Sequence, residues 1–116
     1  MATGNQPRHR SPCPIARSLD LLGDKWTLII MRDALYFDRR TFADFCGSSE
    51  HIPTNLLSDR LKRLVEMELL EKVPYQHNPT RYEYVPTKKG QSIRPILKSL
   101  STFGQEHLGG RKPSLG

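Results

Sequence analysis

Few cysteines, no clustered metal ligands and no long apolar run occur in this sequence, and each absence removes a class of protein. Cys13 and Cys46 stand 33 residues apart with no partner at metal-ligand spacing, so no zinc framework is written here. The four histidines, His9, His51, His77 and His107, fall in segments of different character; no metal site and no cofactor are expected. Nothing approaches the roughly 20 consecutive apolar residues of a membrane span. Residues 1–10 are polar and unlike a secretory signal, so a cytoplasmic protein without membrane contact is expected. No nucleotide-binding glycine motif, nucleophile elbow or recognisably spaced carboxylate pair is present, which argues against an enzyme. The 116 residues, 36% of them hydrophobic, suffice for one domain with a modest core.

What is present is basic charge, net +6, which invites a nucleic-acid reading. Its distribution tempers that reading. Residues 1–17 carry +3 and residues 88–116 carry +5, whereas the middle, 18–87, carries −2. DNA affinity must then come from local placement of bases, from the ends of the chain, or from two copies acting together. The negative middle also motivates the alternative of a protein-interaction module that does not bind DNA.

Periodicity supplies the architecture. Residues 1–12 and 109–116 lack hydrophobic spacing and read as disordered tails, leaving a single domain over 13–108. Ile15, Leu19 and Leu22 follow helical spacing between Pro14 and Gly23. Asp24 is placed to cap a second, central helix around Trp26, Leu28, Ile29, Ile30 and Met31. A short third helix follows Thr41, with Phe42 and Phe45 three apart. From Pro53 a longer run sets Leu57, Leu61 and Leu64 on one face and leaves Thr54, Asn55, Ser58, Asp59, Lys62 and Arg63 largely on others. Helix, turn and polar-faced helix make a helix-turn-helix pattern.

Two strands over 70–76 and 81–85, joined at His77, Asn78 and Pro79, form a hairpin in which Tyr82 and Tyr84, like Trp26, read as core. Thr87 then caps a final helix carrying Ile93, Ile96, Leu97, Leu100 and Phe103, with Pro95 inside it, where it should bend the helix or remove a hydrogen bond. The fold class expected is mainly α with a small β-hairpin wing, a winged helix-turn-helix.

These residues, in this order, resemble the HxlR-type transcriptional regulators, a bacterial branch of winged-helix repressors related to the MarR type. The likeness covers 13–104. It rests on Cys13-Pro14-Ile15, Leu22-Gly23-Asp24-Lys25-Trp26-Thr27 and Arg39-Arg40-Thr41-Phe42, then on Ile52-Pro53-Thr54-Asn55-Leu56-Leu57 with Asp59-Arg60-Leu61. Pro79, Arg81, Tyr82, Tyr84 and Thr87-Lys88-Lys89-Gly90 complete it. Two departures stand out: Phe103 replaces the family's usual tryptophan, and Met67-Glu68-Leu69-Leu70 lacks the glycine that usually ends the recognition helix, which would shift or soften its end. The resemblance implies a homodimer joined by its first and last helices, here through Ile15, Leu19, Ile96, Leu100 and Phe103. It also implies a double-stranded DNA operator, an inverted repeat, as partner.

Within that frame Thr54, Asn55 and Ser58 are candidates for base readout, Asn55 first because its amide suits adenine. Arg40, Arg60 and Lys62 are candidates for phosphate, and His77, Asn78, Thr80 and Arg81 for the backbone or minor groove. Plainer readings stand beside these: Asn55 and Ser58 as a solvated face, and Arg60 in an internal ion pair near Asp59 or with Glu66. Cys13, at a helix start near Arg8, Arg10 and Arg17, is a candidate redox sensor; in several members of the family a matching cysteine senses electrophiles or oxidants. The other reading makes Cys13 an apolar interface contact and Cys46 a packing or loop residue rather than its partner. Control by a small-molecule effector bound near Leu19, Trp26 or Phe103 is a further candidate.

Overall fold

Two residues explain how the chain enters its first helix. Cys13 is extended, and Pro14, whose missing N–H would have no partner in a first turn anyway, opens α1 (Pro14–Leu22) in the computed structural model, which describes residues 11–110. Most of both expected tails, together with Arg8 and Arg10, lies outside the described residues. Gly23 ends α1. Its N–H donates to the Leu19 carbonyl at 2.8 Å, and a Cβ there would stand 2.4 Å from that same oxygen, so no larger residue fits without moving the backbone.

The second helix, α2 (Thr27–Tyr36), buries Thr27, Ile30, Met31, Asp33, Ala34 and Leu35, more than one stripe, and so occupies the centre of the domain. Its N-cap is Trp26 and not, as the sequence suggests, Asp24, which lies in the preceding turn and whose Oδ1 accepts the N–H groups of Trp26 (2.8 Å) and Thr27 (3.0 Å), donors left free at a helix start. The third, α3 (Phe42–Cys46), is short and depends on its capping box: the Asp44 N–H donates to Thr41 Oγ1 while the Thr41 N–H donates to Asp44 Oδ2. Leu57, Leu61 and Leu64 of α4 (Thr54–Glu66) then bury one face at helical spacing.

The strands β1 (Leu70–Gln76) and β2 (Arg81–Pro86) pair antiparallel from Leu70 opposite Pro86 to Gln76 opposite Arg81, with an irregularity between Pro74 and Gln76. The Tyr84 N–H also donates to the Arg40 carbonyl at 2.7 Å, tying the hairpin to the segment before α3. Tyr84 is half-buried and meets Phe45 edge to face, and Trp26 packs against the core. Tyr82 departs from the core reading. Two residues nearer the tip, it is 44% exposed, with the Lys72 ammonium 4.6 Å from its ring centre.

The last helical segment is also divided. Thr87 caps only α5 (Lys88–Gln91), and a new helix, α6 (Arg94–His107), starts with Pro95 in its first turn. Pro95 therefore neither bends a helix nor removes a bond from one; it initiates. Among the described residues, six helices and a two-stranded wing make a winged helix-turn-helix around a core that includes Ile30, Met31, Phe45, Leu57, Leu61, Leu64 and Ile93. No helix among the described residues is long and apolar enough to cross a membrane.

Candidate nucleic-acid interface

The candidate surface is built outward from the packing of α3 and α4. Between them the turn is anchored to α2 by an ion-pair frame: Arg32 donates to both Glu50 carboxylate oxygens, at 2.6 and 3.2 Å, and to Asp33 Oδ1 at 2.8 Å. The Arg32 hydrogen bonds, helped by the Ser49 and Ser48 hydroxyls, overcome desolvation and hold the Glu50 carboxyl at about 2. This frame ties the turn before α4 to α2.

Along α4, the leucines face inward and Thr54, Asn55, Ser58, Asp59 and Lys62 are exposed. The flank is occupied by Arg60, for which phosphate contact and an internal ion pair both stand open, and the structure shows the ion pair. Its Nε donates to Asp24 Oδ1 at 3.1 Å and its Nη1 to Asp59 Oδ2 at 2.5 Å, leaving the side chain 19% exposed. Arg63 adds an ion pair to Asp24 Oδ2 at 3.6 Å and a hydrogen bond to the Asp20 carbonyl at 3.2 Å. Burial raises the carboxyl of Asp24, but hydrogen bonds from the Thr27 hydroxyl, the Trp26 N–H, Arg60 and the Thr27 N–H outweigh it and set that carboxyl at about 2. Asp24, expected only as a cap, thus joins α4 to the α1–α2 junction.

The far end of α4 is held as firmly. Glu68 adopts a left-handed φ of 62°, with the Glu68 N–H donating to the Val65 carbonyl (3.0 Å) and the Leu69 N–H to the Leu64 carbonyl (2.9 Å), the double bond pattern of a Schellman end. The missing glycine therefore neither shifts nor softens the end. Thr87-Lys88-Lys89-Gly90 closes this end from outside: Lys89 Nζ donates to the Met67 carbonyl at 2.9 Å, Thr87 Oγ1 to that of Glu68 at 2.5 Å, and the Thr87 N–H to that of Leu69 at 3.1 Å. A Cβ on Gly90 would meet the Leu69 carbonyl at 2.2 Å.

His77, Asn78, Thr80 and Arg81 are brought together, all exposed, at the hairpin tip. Arg40 stands apart from them beside α3, its guanidinium paired with Asp38 at 2.9 Å. Away from this surface, Ile15 and Leu19 on α1 and Ile96, Leu100 and Phe103 on α6 are all exposed apolar side chains, joined by Leu108, which sequence reasoning missed. Cys13 is an exposed free thiol at the start of α1, where Arg17 is turned to the Ser11 carbonyl at 2.8 Å; Cys46 is exposed at the end of α3. Of the residues proposed for an effector site, only Phe103 borders the shallow groove on α6, of about 340 Å³, lined with it by Lys98, Ser99, Thr102 and Glu106.

Residues 21–112 match the family described as HxlR-like helix-turn-helix. The chain belongs to that family. Among HxlR-like relatives it is 38% identical over 94 residues to an uncharacterised helix-turn-helix-type transcriptional regulator, MT3179, of Mycobacterium tuberculosis, an alignment covering 81% of this chain and 58% of that protein. The chain thus spans little more than half the length of that relative. A candidate transcription factor of Pseudomonas aeruginosa, PA1374, has a solved structure that superposes with a TM-score of 0.63 at 45% identity, covering 88% of this chain and 68% of that one. The redox regulator HypR in its oxidised form superposes at 0.71 with 25% identity, covering 82% of this chain and 97% of HypR.

Proposed function

We propose that this HxlR-like chain is a dimeric, sequence-specific DNA-binding transcriptional regulator of the cytoplasm, with no catalytic role. The observation that carries the reading is the polar, exposed first half of α4, with the helix held at its middle by Arg60 and Asp24 and at its C-terminal end by Lys89 and Thr87, where the wing follows. Such a helix fits a major groove about 12 Å wide. Thr54, Asn55 and Ser58 face the base edges; Lys62 and Arg40 engage phosphates, Arg40 by exchanging its exposed pairing with Asp38. Arg60 sets the pose of α4 instead of touching phosphate, and His77, Asn78, Thr80 and Arg81 approach the backbone or minor groove.

Two copies joined through the α1 and α6 apolar residues read an inverted repeat, because the two-fold symmetry of the protein is repeated in its operator. Regulation is proposed at Cys13 by an electrophile or oxidant. The thiol is exposed and starts the same helix that carries Ile15 and Leu19, so its modification would bear on the spacing of the two recognition helices. A small molecule acting at the same interface is the other proposed route of control.

One experiment tests the assembly of claims: selection of sheared genomic DNA by the purified reduced protein, repeated after diamide and with Cys13→Ser, followed by binding measurements on the enriched site. Asn55→Ala and Arg81→Ala are each expected to weaken binding about tenfold, Arg81→Ala also lowering the salt slope by about one. If both variants keep the affinity and slope of the parent, the contacts are wrong. Enrichment lost after diamide but kept in Cys13→Ser supports thiol control, while enrichment indifferent to diamide leaves Cys13 as packing. No enrichment, with a stable protein partner instead, selects the protein-interaction alternative.

A further inference from the structure

Two acidic residues, Asp59 and, at the far end of the helix, Glu66, stand on the outward side of α4, the surface assigned to a polyanion; Asp59 is the one in the first half. On α4, with Leu57, Leu61 and Leu64 inward, a rotation of about 100° per residue sets Asn55, Asp59, Lys62 and Glu66 on the opposite side, with Asp59 one turn after Asn55 and Glu66 in the last turn. The Asp59 side chain is 62% exposed. A carboxylate there repels phosphate, and its one hydrogen bond, to Arg60, leaves acceptor capacity directed outward at a cost in affinity unless DNA offers a donor. Its position is also fixed. Arg60 Nη1 holds Asp59 Oδ2 at 2.5 Å, Arg60 Nε is held by Asp24 Oδ1 at 3.1 Å, and Asp24 is held by the backbone N–H groups that begin α2. A single hydrogen bond leaves most of the roughly four acceptor positions of a carboxylate open.

The chemistry of the groove narrows what such an acceptor can meet. Guanine presents two acceptors, N7 and O6, and thymine presents O4 and a methyl group, so both repel or fail to satisfy a carboxylate. Adenine sets an acceptor, N7, beside its N6 donor. Cytosine presents the N4 amine without an adjoining acceptor on the same base, and it is the base a carboxylate pairs with. We propose that Asp59 is a specificity-determining residue that selects cytosine at one position of each half-site through the N4 amine. The selection works as much by rejecting guanine and thymine as by attracting cytosine. This inference rests on α4 being the major-groove element.

The test is selection from randomised duplex DNA with the full chain, in parallel for the parent, Asp59→Asn and Asp59→Ala, with circular dichroism as the folding control. The parent is expected to enrich one cytosine per half-site, and replacing it by any other base should weaken parent binding about tenfold. Asp59→Asn should move the preference at that position to adenine, whose N6 and N7 an amide pairs with, and Asp59→Ala should accept all four bases within about twofold. Folded variants that keep the parent's base preference at every position overturn the assignment of Asp59 while leaving the DNA-binding reading intact. A parent protein with no salt-dependent DNA binding overturns both.

Discussion

Glu68 shows how a single residue can carry a backbone conformation unsuited to it. At φ 62° it occupies the left-handed position that ends α4, where a Cβ crowds the following carbonyl at a cost of about 1–2 kcal/mol. The Schellman bonds from the Glu68 and Leu69 N–H groups, the buried Leu64 and Leu69 side chains and the closure by Thr87 and Lys89 hold it there. Glu68→Gly removes the crowding and leaves those contacts in place, at the expense of a more flexible unfolded chain. A net gain of about 1 kcal/mol is expected, read as a melting temperature raised by about 4 °C. An unchanged or lower melting temperature would mean that the surrounding bonds, and not the φ angle, set the energy of this turn.

At the scale of elements, the orientation of α4 depends on acids whose protonation would release it. The ordinary values of Asp24 and Glu50 are 3.8 and 4.5, and in the folded chain both lie at about 2. Because the folded values are the lower ones, their contribution is complete above about pH 5 and is lost as pH falls from there toward 2. Asp24→Asn keeps an acceptor for the α2 N–H groups but weakens the bonds to Arg60 and Arg63. At pH 7 it should cost about 2 kcal/mol in urea unfolding, within the range for hydrogen bonds to charged groups, and the difference from the parent should narrow as pH falls below about 5 and close only below about pH 2. A difference that persists in acid would assign the loss to packing.

The same elements show what a sequence conveys. The inward face of α4 was legible because leucine recurs at 57, 61 and 64, and the start of α3 was legible in Thr41; both signals are local. Pro95 misleads because Ile93, Ile96, Leu97, Leu100 and Phe103 keep one spacing straight through the break between α5 and α6. An internal ion pair for Arg60 was legible but its main partner was not, since Asp24 lies 36 residues away and only the packing of α4 against the α1–α2 junction brings them together. Strand alternation put Tyr82 and Tyr84 on one face correctly, but it carries no information on how far along the hairpin the cover of Phe45 extends. The position of Asp59 was available from helical rotation alone. Among outward polar residues assigned to bases and phosphate it stood without a role, and Arg60 and Asp24 give its carboxylate a fixed place.

For the whole molecule, the subunit leaves α1 poorly supported: of its residues only Leu22 is buried, while Ile15 is 72% exposed and Leu19 57% exposed. On α6, Leu97 is the one buried residue, and Leu100 and Phe103 are exposed on the same helix. Apolar side chains aligned on both helices have little reason to face water in a subunit that functions alone, and a second copy would cover them. The net charge of −2 over 18–87 would give the proposed pairing a second purpose, since one copy would offer DNA little net positive charge and two would offer a bivalent grip. Leu19→Glu combined with Leu100→Glu puts charge into the proposed contact at positions the subunit leaves exposed, so the fold itself should survive. Light scattering should then give the monomer mass where the parent gives the dimer. The melting temperature should lose its dependence on protein concentration, and affinity for the inverted repeat should fall at least about 100-fold as the second half-site becomes a separate binding event. A doubly substituted chain that remains dimeric and binds the repeat like the parent would move the interface off these two helices.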